Sequence, residues 1–239
     1  MNNVGFFAAG VDYQLPHPAI DDAVLVIAHD AICCAISLLR GSGFSVGTAH
    51  EDQITRQLHW ILEDRLRQTG EVAGFDDRVF RKVWRGPEVT NFNGNRPAKK
   101  PDLVFELVRD DTLVLSSQDA LFVECKIVGN SHPVTTAYCN DGLSRFIDGD
   151  YAWAMREGMM LGYVRHGFTL AANLSPVLAR EPYHARLGRP SPLQMVPESA
   201  AHQAAEALHI TLHNRDFHWP HGQGPVHPIR IFHSWHDCS

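Results

Sequence analysis

The most chemically suggestive residues of the chain lie in the segment 99–128. Asp102 opens an extended apolar stretch directly after Pro101, and Glu124, Cys125 and Lys126 interrupt a second one, among Leu121, Val123, Ile127 and Val128. On a strand successive side chains alternate, so Glu124 and Lys126 share one face and Cys125 points to the other. Charges in such apolar surroundings are costly unless they are paired or bound. Two carboxylates delivered by neighbouring strands can share a divalent cation, and hard oxygen donors suit Mg²⁺, with Mn²⁺ as its substitute. Lys126, beside that cation, would orient an attacking water or stabilise charge building on a phosphate. The plainer alternative is a surface ion pair between Glu124 and Lys126.

Positioning these groups falls to an alternation of helices and strands. A helix over residues 19–40 is closed by Gly41 and Gly43. A second, over about 48–70, carries Ile54, Leu58, Ile61, Leu62 and Leu66 at the spacing of one buried face. The period then changes to that of strands, at 78–84, 101–108 and 121–128, with a Gly/Pro/Asn-rich loop at 86–97, a turn at 109–111 and a small apolar run at 113–115. After Pro133 the pattern is helical through Tyr138, Gly142, Arg145, Phe146 and Ile147, and it resumes over 151–159. A buried strand at 161–164, a helix at 170–180 and a surface loop at 180–197 follow, and late apolar runs at 208–212 and 229–232 would add strands to a sheet edge. The order predicts an α/β fold whose mixed central sheet is flanked by helices.

Pro101-Asp102 and Glu124-Cys125-Lys126, separated by a hairpin, resemble the motif of the PD-(D/E)XK nuclease superfamily. The resemblance implies a restriction-endonuclease-like core over about 48–165, with an N-terminal helical extension (about 1–45) and a C-terminal strand-rich extension (about 166–239), within one domain. It further implies a Mg²⁺-dependent endonuclease, a hydrolase of phosphodiester bonds acting on DNA ahead of RNA, with a place in bacterial antiviral defence. Asp102 and Glu124 would be metal ligands, Lys126 the catalytic lysine, and the Cys125 carbonyl a further ligand. Members often add a glutamate from the preceding helix, and Glu51 is the candidate here, since it shares the inward stripe with Ile54 and Leu62. Thr48 and Glu51 would also make a capping box, so ligand and cap both stand as readings.

Between Arg78 and Lys100 stand seven basic residues, Arg78, Arg81, Lys82, Arg85, Arg96, Lys99 and Lys100, against one acid, Glu88. Such a stretch, with Trp84 and Phe92 inside it, would track a phosphate backbone and stack on bases, or else form a solvated face. The nucleic-acid contacts expected from it are Arg81, Lys82, Arg85, Lys99 and Lys100. Arg145, one helical turn from Gly142 and Gly149, would touch phosphate or pair with Asp141 or Asp148.

The 239 residues carry 21 Lys plus Arg against 27 Asp plus Glu, a formal charge of −6, so nucleic-acid contact must use a local patch. Five cysteines without a C-x-x-C pair make neither a disulfide framework nor a common zinc spacing, and they point to a reducing cytoplasm. The crowd of late histidines, His209 and His213 among them, lacks cysteine partners at zinc spacing. No basic residue precedes Arg40, and His29 and Asp30 interrupt the longest apolar run, so neither a leader nor a membrane span is expected. No nucleotide-binding G-x-x-x-x-G-K-[ST] loop occurs. The expected partner is nucleic acid, with a second copy or a partner protein supplying recognition. The competing reading from another class is a catalytically silent nucleic-acid- or protein-binding module of the same fold, and a third is an unrelated α/β enzyme using the acidic pair for another metal reaction.

Overall fold

Seven strands form one mixed sheet in a computed structural model that describes residues 13–109, 114–197, 207–219 and 224–239. In chain order they are β1 (Phe80–Arg85), β2 (Leu103–Leu107), β3 (Ala120–Val128), β4 (Glu157–Val164), β5 (Gln194–Met195), β6 (His209–His213) and β7 (Ile229–Asp237). Their spatial order is β1-β2-β3-β4-β7-β6-β5. β3, β4 and β7 run parallel at the centre, and β1, β2, β6 and β5 add antiparallel pairs on either side. β3 and β4 are buried along their whole length, as central strands covered on both faces are, which explains their near-continuous apolar character.

Two helical layers cover the sheet, and the register shows which face each takes. Lys126, Gly162 and Trp235 are cross-strand partners and so share a face. Over it lies the crossover helix, a wide π-helical stretch (Val134–Leu143) followed by an α-helical turn (Ser144–Ile147). A Cβ added to Gly142 would sit 3.2 Å from Lys126 Cγ, so this glycine lets the crossover lie directly on the lysine. On the opposite face Tyr163 and His236 meet α1 (Asp22–Gly41) and α2 (Glu51–Trp60): Tyr163 shares a hydrogen bond with Thr55. α2 continues through a π-helical segment (Ile61–Leu66) and a last turn (Arg67–Thr69), and ends at Gly70, whose φ of 67° is the left-handed stop that glycine accepts. Ile54, Leu58, Leu62 and Leu66 are buried, as their spacing predicts, while Ile61 of the same expected face is half-buried.

α1 has 20 residues, and an 18-residue window in it has a mean hydropathy of 1.9, values that a membrane-spanning helix would also show. Its Leu25, Ala28, Ile32, Ala35, Ile36 and Leu39 are buried inside the protein, which makes it a core helix packed beside β7. The helix of the expected N-terminal extension is thus part of the same hydrophobic core.

Three expectations are corrected. Residues 151–154 form bends, and Met159 lies within β4, which begins at Glu157, so the helix does not resume over 151–159. The loop at 180–197 contains a short helix (Tyr183–Arg186) and the edge strand β5. The run at 229–232 is the start of a nine-residue interior strand paired with β4 and β6, not an addition at the edge. Of the run at 113–115, Val114 and Leu115 are not in a strand, while Leu113, like Asp110, Asp111 and His221, lies outside the described residues.

Candidate active site

The pairing of β2 with β3 ends at Leu103↔Val123, while β3 runs on to Val128. Beyond Val123 the β2-side edge of β3 therefore has no strand partner among the described residues, and its buried N–H groups need acceptors. Side chains supply them: the Cys125 N–H donates to Asp102 Oδ2 at 2.7 Å, and the Ile127 N–H donates to Glu51 Oε2 at 2.9 Å. On a strand the N–H and C=O of one residue face the same neighbour, so the Cys125 carbonyl points toward this opening too. The opening is the place where a carboxylate from α2, on one face of the sheet, reaches a lysine on the other.

Lys126 sits at the centre. Its Nζ donates to Glu51 Oε1 at 2.9 Å, lies 2.9 Å from Glu124 Oε1 and stands 3.8 Å from Asp102 Oδ2. Arg145, on the last turn of the crossover, places Nη1 2.9 Å from the same Glu124 oxygen. The Tyr151 hydroxyl donates a short hydrogen bond to Glu124 Oε2. Four sequence-predicted residues, Glu51, Asp102, Glu124 and Lys126, thus converge from α2, the residue before β2, and β3, and Arg145 joins them.

The electrostatics follow from three acids and two bases in a largely buried space. Burial first, and the Asp102 charge second, push the Glu124 carboxyl from 4.5 up to about 7 against the pull of Lys126 and Arg145. Burial also raises the Asp102 carboxyl, with Lys126 and the Cys125 N–H opposing. Burial alone would lower Lys126, but Glu124, Asp102 and Glu51 outweigh it and hold the ammonium above its ordinary value. The Cys125 thiol, fully buried on the other face, is pushed well above its usual range and is no nucleophile.

α2 is held where Glu51 needs it. Arg165, just after β4, donates to the carbonyls of Val46 and Ala49 at the head of the helix, and Thr55 bonds Tyr163 one turn further on. The capping expectation changes: the cap residue is His50, whose N–H donates to the Gln53 side chain, so Thr48 makes no box with Glu51. Glu51 is the first helical residue, and its carboxylate is spent on Lys126 and β3. Asp52, its neighbour, points outward to Arg85 at 2.8 Å.

The basic stretch is less free than its sequence count. Arg85 pairs with Asp52, Arg81 with Glu106 at 3.5 Å, Lys100 with Glu88 at 3.0 Å, and both Arg96 and Lys99 with Asp150. Arg78 pairs with Asp76, and Lys82 lies 4.0 Å over the Trp84 ring. Trp84 is 43% exposed, whereas Phe92 stacks on Phe217 and is not free for a base. Arg145 pairs with Glu124, not with Asp141 or Asp148. The Glu124–Lys126 pair is buried, which corrects the surface-pair alternative. Tyr151 was not foreseen, because it sits in a stretch whose spacing imitates a helix. A cleft of about 730 Å³ lined by Phe92, Asp148, Arg186, Arg189, Arg215 and Phe217 adds basic residues that sequence spacing did not single out.

Comparison with protein-family models, with curated proteins and with solved structures finds no match, so the chain is described by its own geometry: a mixed α/β sheet in which buried Glu124 and Lys126 of β3 meet the half-buried Glu51, Asp102 and Arg145.

Proposed function

We propose that this protein is a metal-dependent nuclease with a restriction-endonuclease-like core, hydrolysing phosphodiester bonds of nucleic acid. The observation that carries the reading is the meeting of Glu51, Asp102, Glu124 and Lys126 at the unpaired edge of β3. The donor set fits a hard divalent cation, Mg²⁺ or Mn²⁺: the oxygens are carboxylate and carbonyl, and the burial of both acids, with the repulsion of Glu51 on Asp102 and of Asp102 on Glu124, is what a cation relieves. Asp102, Glu124 and the Cys125 carbonyl are the residues that would hold it, with Glu51 at the margin. When bound, such a cation supplies Lewis acidity toward a phosphoryl oxygen and acidifies water.

The chain's own residues do the rest. Lys126 is kept protonated by its carboxylate neighbours, so it acts as a fixed positive charge for the developing phosphorane, not as a base. Glu51 holds that ammonium at 2.9 Å and so sets its direction. Arg145 is 37% exposed at its side chain and has a planar fork suited to a phosphate oxygen once Glu124 engages a cation. Arg81, Lys82, Arg85, Lys99 and Lys100 line the approach from β1 and its loop. The exposed ion pairs of Arg81, Arg85 and Lys100 are weak enough to exchange for phosphates and Lys82 lies over Trp84, whereas Lys99 is tied to the buried Asp150 and would give up more. DNA is the substrate class the family resemblance favours.

The test is turnover of plasmid, linear duplex, single-stranded DNA and RNA with Mg²⁺ or Mn²⁺, comparing wild type with Lys126→Ala under single-turnover conditions. Cleavage of at least one substrate is expected, abolished by chelation and slowed about a hundredfold by Lys126→Ala, the scale of losing one transition-state charge contact. If wild type cuts none of them, with candidate partner proteins added, the silent binding module replaces the nuclease reading.

A further inference from the structure

Away from the carboxylate cluster, on the sheet face covered by α1, three residues of another chemical character meet. His29 and Cys33 are one turn apart on α1, and His236 is on β7, more than two hundred positions along the chain. Their ligand atoms lie within 4.8 Å of one another. Cys33 Sγ stands 3.5 Å from His29 Nε2. In a tetrahedral zinc site with Zn–S of about 2.3 Å and Zn–N of about 2.0–2.1 Å, the sulfur–nitrogen edge is about 3.5–3.6 Å. That edge matches the Sγ–Nε2 distance, but Sγ also lies 3.9 Å from His29 Nδ1, so it stands beside the ring, and Cys33 must turn about its χ1 bond to meet an ion on the Nε2 lone pair.

The second observation is Ser234. Its Oγ lies 3.0 Å from His29 Nδ1 and 2.7 Å from His236 Nε2. One hydroxyl oxygen can accept both ring N–H groups, and in that tautomer the lone pairs sit on His29 Nε2, which faces Cys33, and on His236 Nδ1. Fixing a histidine's tautomer through its other nitrogen is how outer contacts prepare imidazole for a metal. Soft sulfur and borderline nitrogen select zinc over the magnesium class that suits the carboxylate cluster.

We propose that His29, Cys33 and His236 form a zinc site, with a water in the fourth position, that fastens α1 to β7. The ligands come from two elements distant in sequence, so binding ties the N-terminal helix to the interior strand. Both histidines are fully buried and Cys33 is half-buried.

The experiment is titration of the reduced, metal-free protein with Co²⁺, read by absorption, in wild type, Cys33→Ser, Ser234→Ala and Asp102→Ala. Wild type is expected to bind one equivalent with a near-ultraviolet thiolate charge-transfer band and the strong visible bands of a four-coordinate ion, all displaced by Zn²⁺. Cys33→Ser should lack the charge-transfer band, and Ser234→Ala should keep it with affinity lowered about 10–100-fold. Asp102→Ala should keep it unchanged, so the result stands apart from the fate of the nuclease reading. Absence of a thiolate band in wild type, or its survival in Cys33→Ser, overturns the proposal.

Discussion

Glu124→Gln should make the metal-free protein more stable at pH 8 and leave it unchanged at pH 4. The glutamine stands in for the protonated acid: its carbonyl can face Lys126 and Arg145 where Glu124 Oε1 now lies, and its amide can donate to Tyr151. In the unfolded chain this carboxyl ionises near 4.5, and in the folded protein burial and Asp102 delay ionisation to about 7. Between those values the folded state binds the extra proton, so stability falls as pH rises through the window and levels off above it. The interval from 4.5 to about 7, at about 1.36 kcal/mol per pH unit, amounts to about 3 kcal/mol, an upper bound once local relaxation is allowed. Urea unfolding followed by circular dichroism in the presence of a chelator, at pH 4, 6 and 8, measures the difference between wild type and variant. A gain of about 1–3 kcal/mol at pH 8 that fades toward pH 4 is expected, without change of the urea slope. A variant less stable at pH 8, or a difference independent of pH, would refute the reasoning: ionised Glu124 would then be held favourably by its two cations, with no repulsion for a metal to relieve. The same variant should lose its thermal response to Mn²⁺, a site kept unstable for function.

Glu51→Gln removes the charge that orients Lys126 and puts an amide donor against either Lys126 Nζ or the Ile127 N–H; a stability loss of about 1–2 kcal/mol and slower single-turnover cleavage with unchanged nucleic-acid affinity are expected, and full activity at limiting Mg²⁺ would contradict this. Buried His213, lowered to about 4, stays neutral when folded while the unfolded chain protonates near 6.5, so stability should drop by about 3 kcal/mol as pH falls from 6.5 to 4. Because Glu124 acts in the opposite sense over much of that window, the acid loss should be plainest in the Glu124→Gln background, and chemical denaturation across pH reads it.

The strand residues of the cluster were legible because alternation is local: Glu124 and Lys126 share a face whatever β3 pairs with. The helix under Glu51 was legible from Ile54, Leu58, Leu62 and Leu66, whose period needs no tertiary information. What the local pattern could not carry is pairing over distance. The run at 229–232 looks the same at an edge as in the interior, and only its parallel register with β4 makes β7 a central strand. The basic stretch loses much of its free charge to Asp52, Glu106 and Asp150, two of them far outside it in sequence. Tyr151, Met155 and Met159 repeat every four residues, yet the first is in a bend and the last in a strand buried on both faces, where periodicity does not separate helix from strand. His29, Cys33 and His236 show no motif because the fold, not the spacing, assembles them.

The most direct test of the central claim is a crystal of the protein soaked in Mn²⁺ and measured for anomalous scattering. One peak bound by Asp102 and Glu124, with Lys126 Nζ displaced from its place among the carboxylates and still beside the ion, is the predicted result. No peak there, with Lys126 still bridging Glu51 and Glu124 at saturating Mn²⁺, would contradict the assignment of the cluster as a metal-dependent catalytic site.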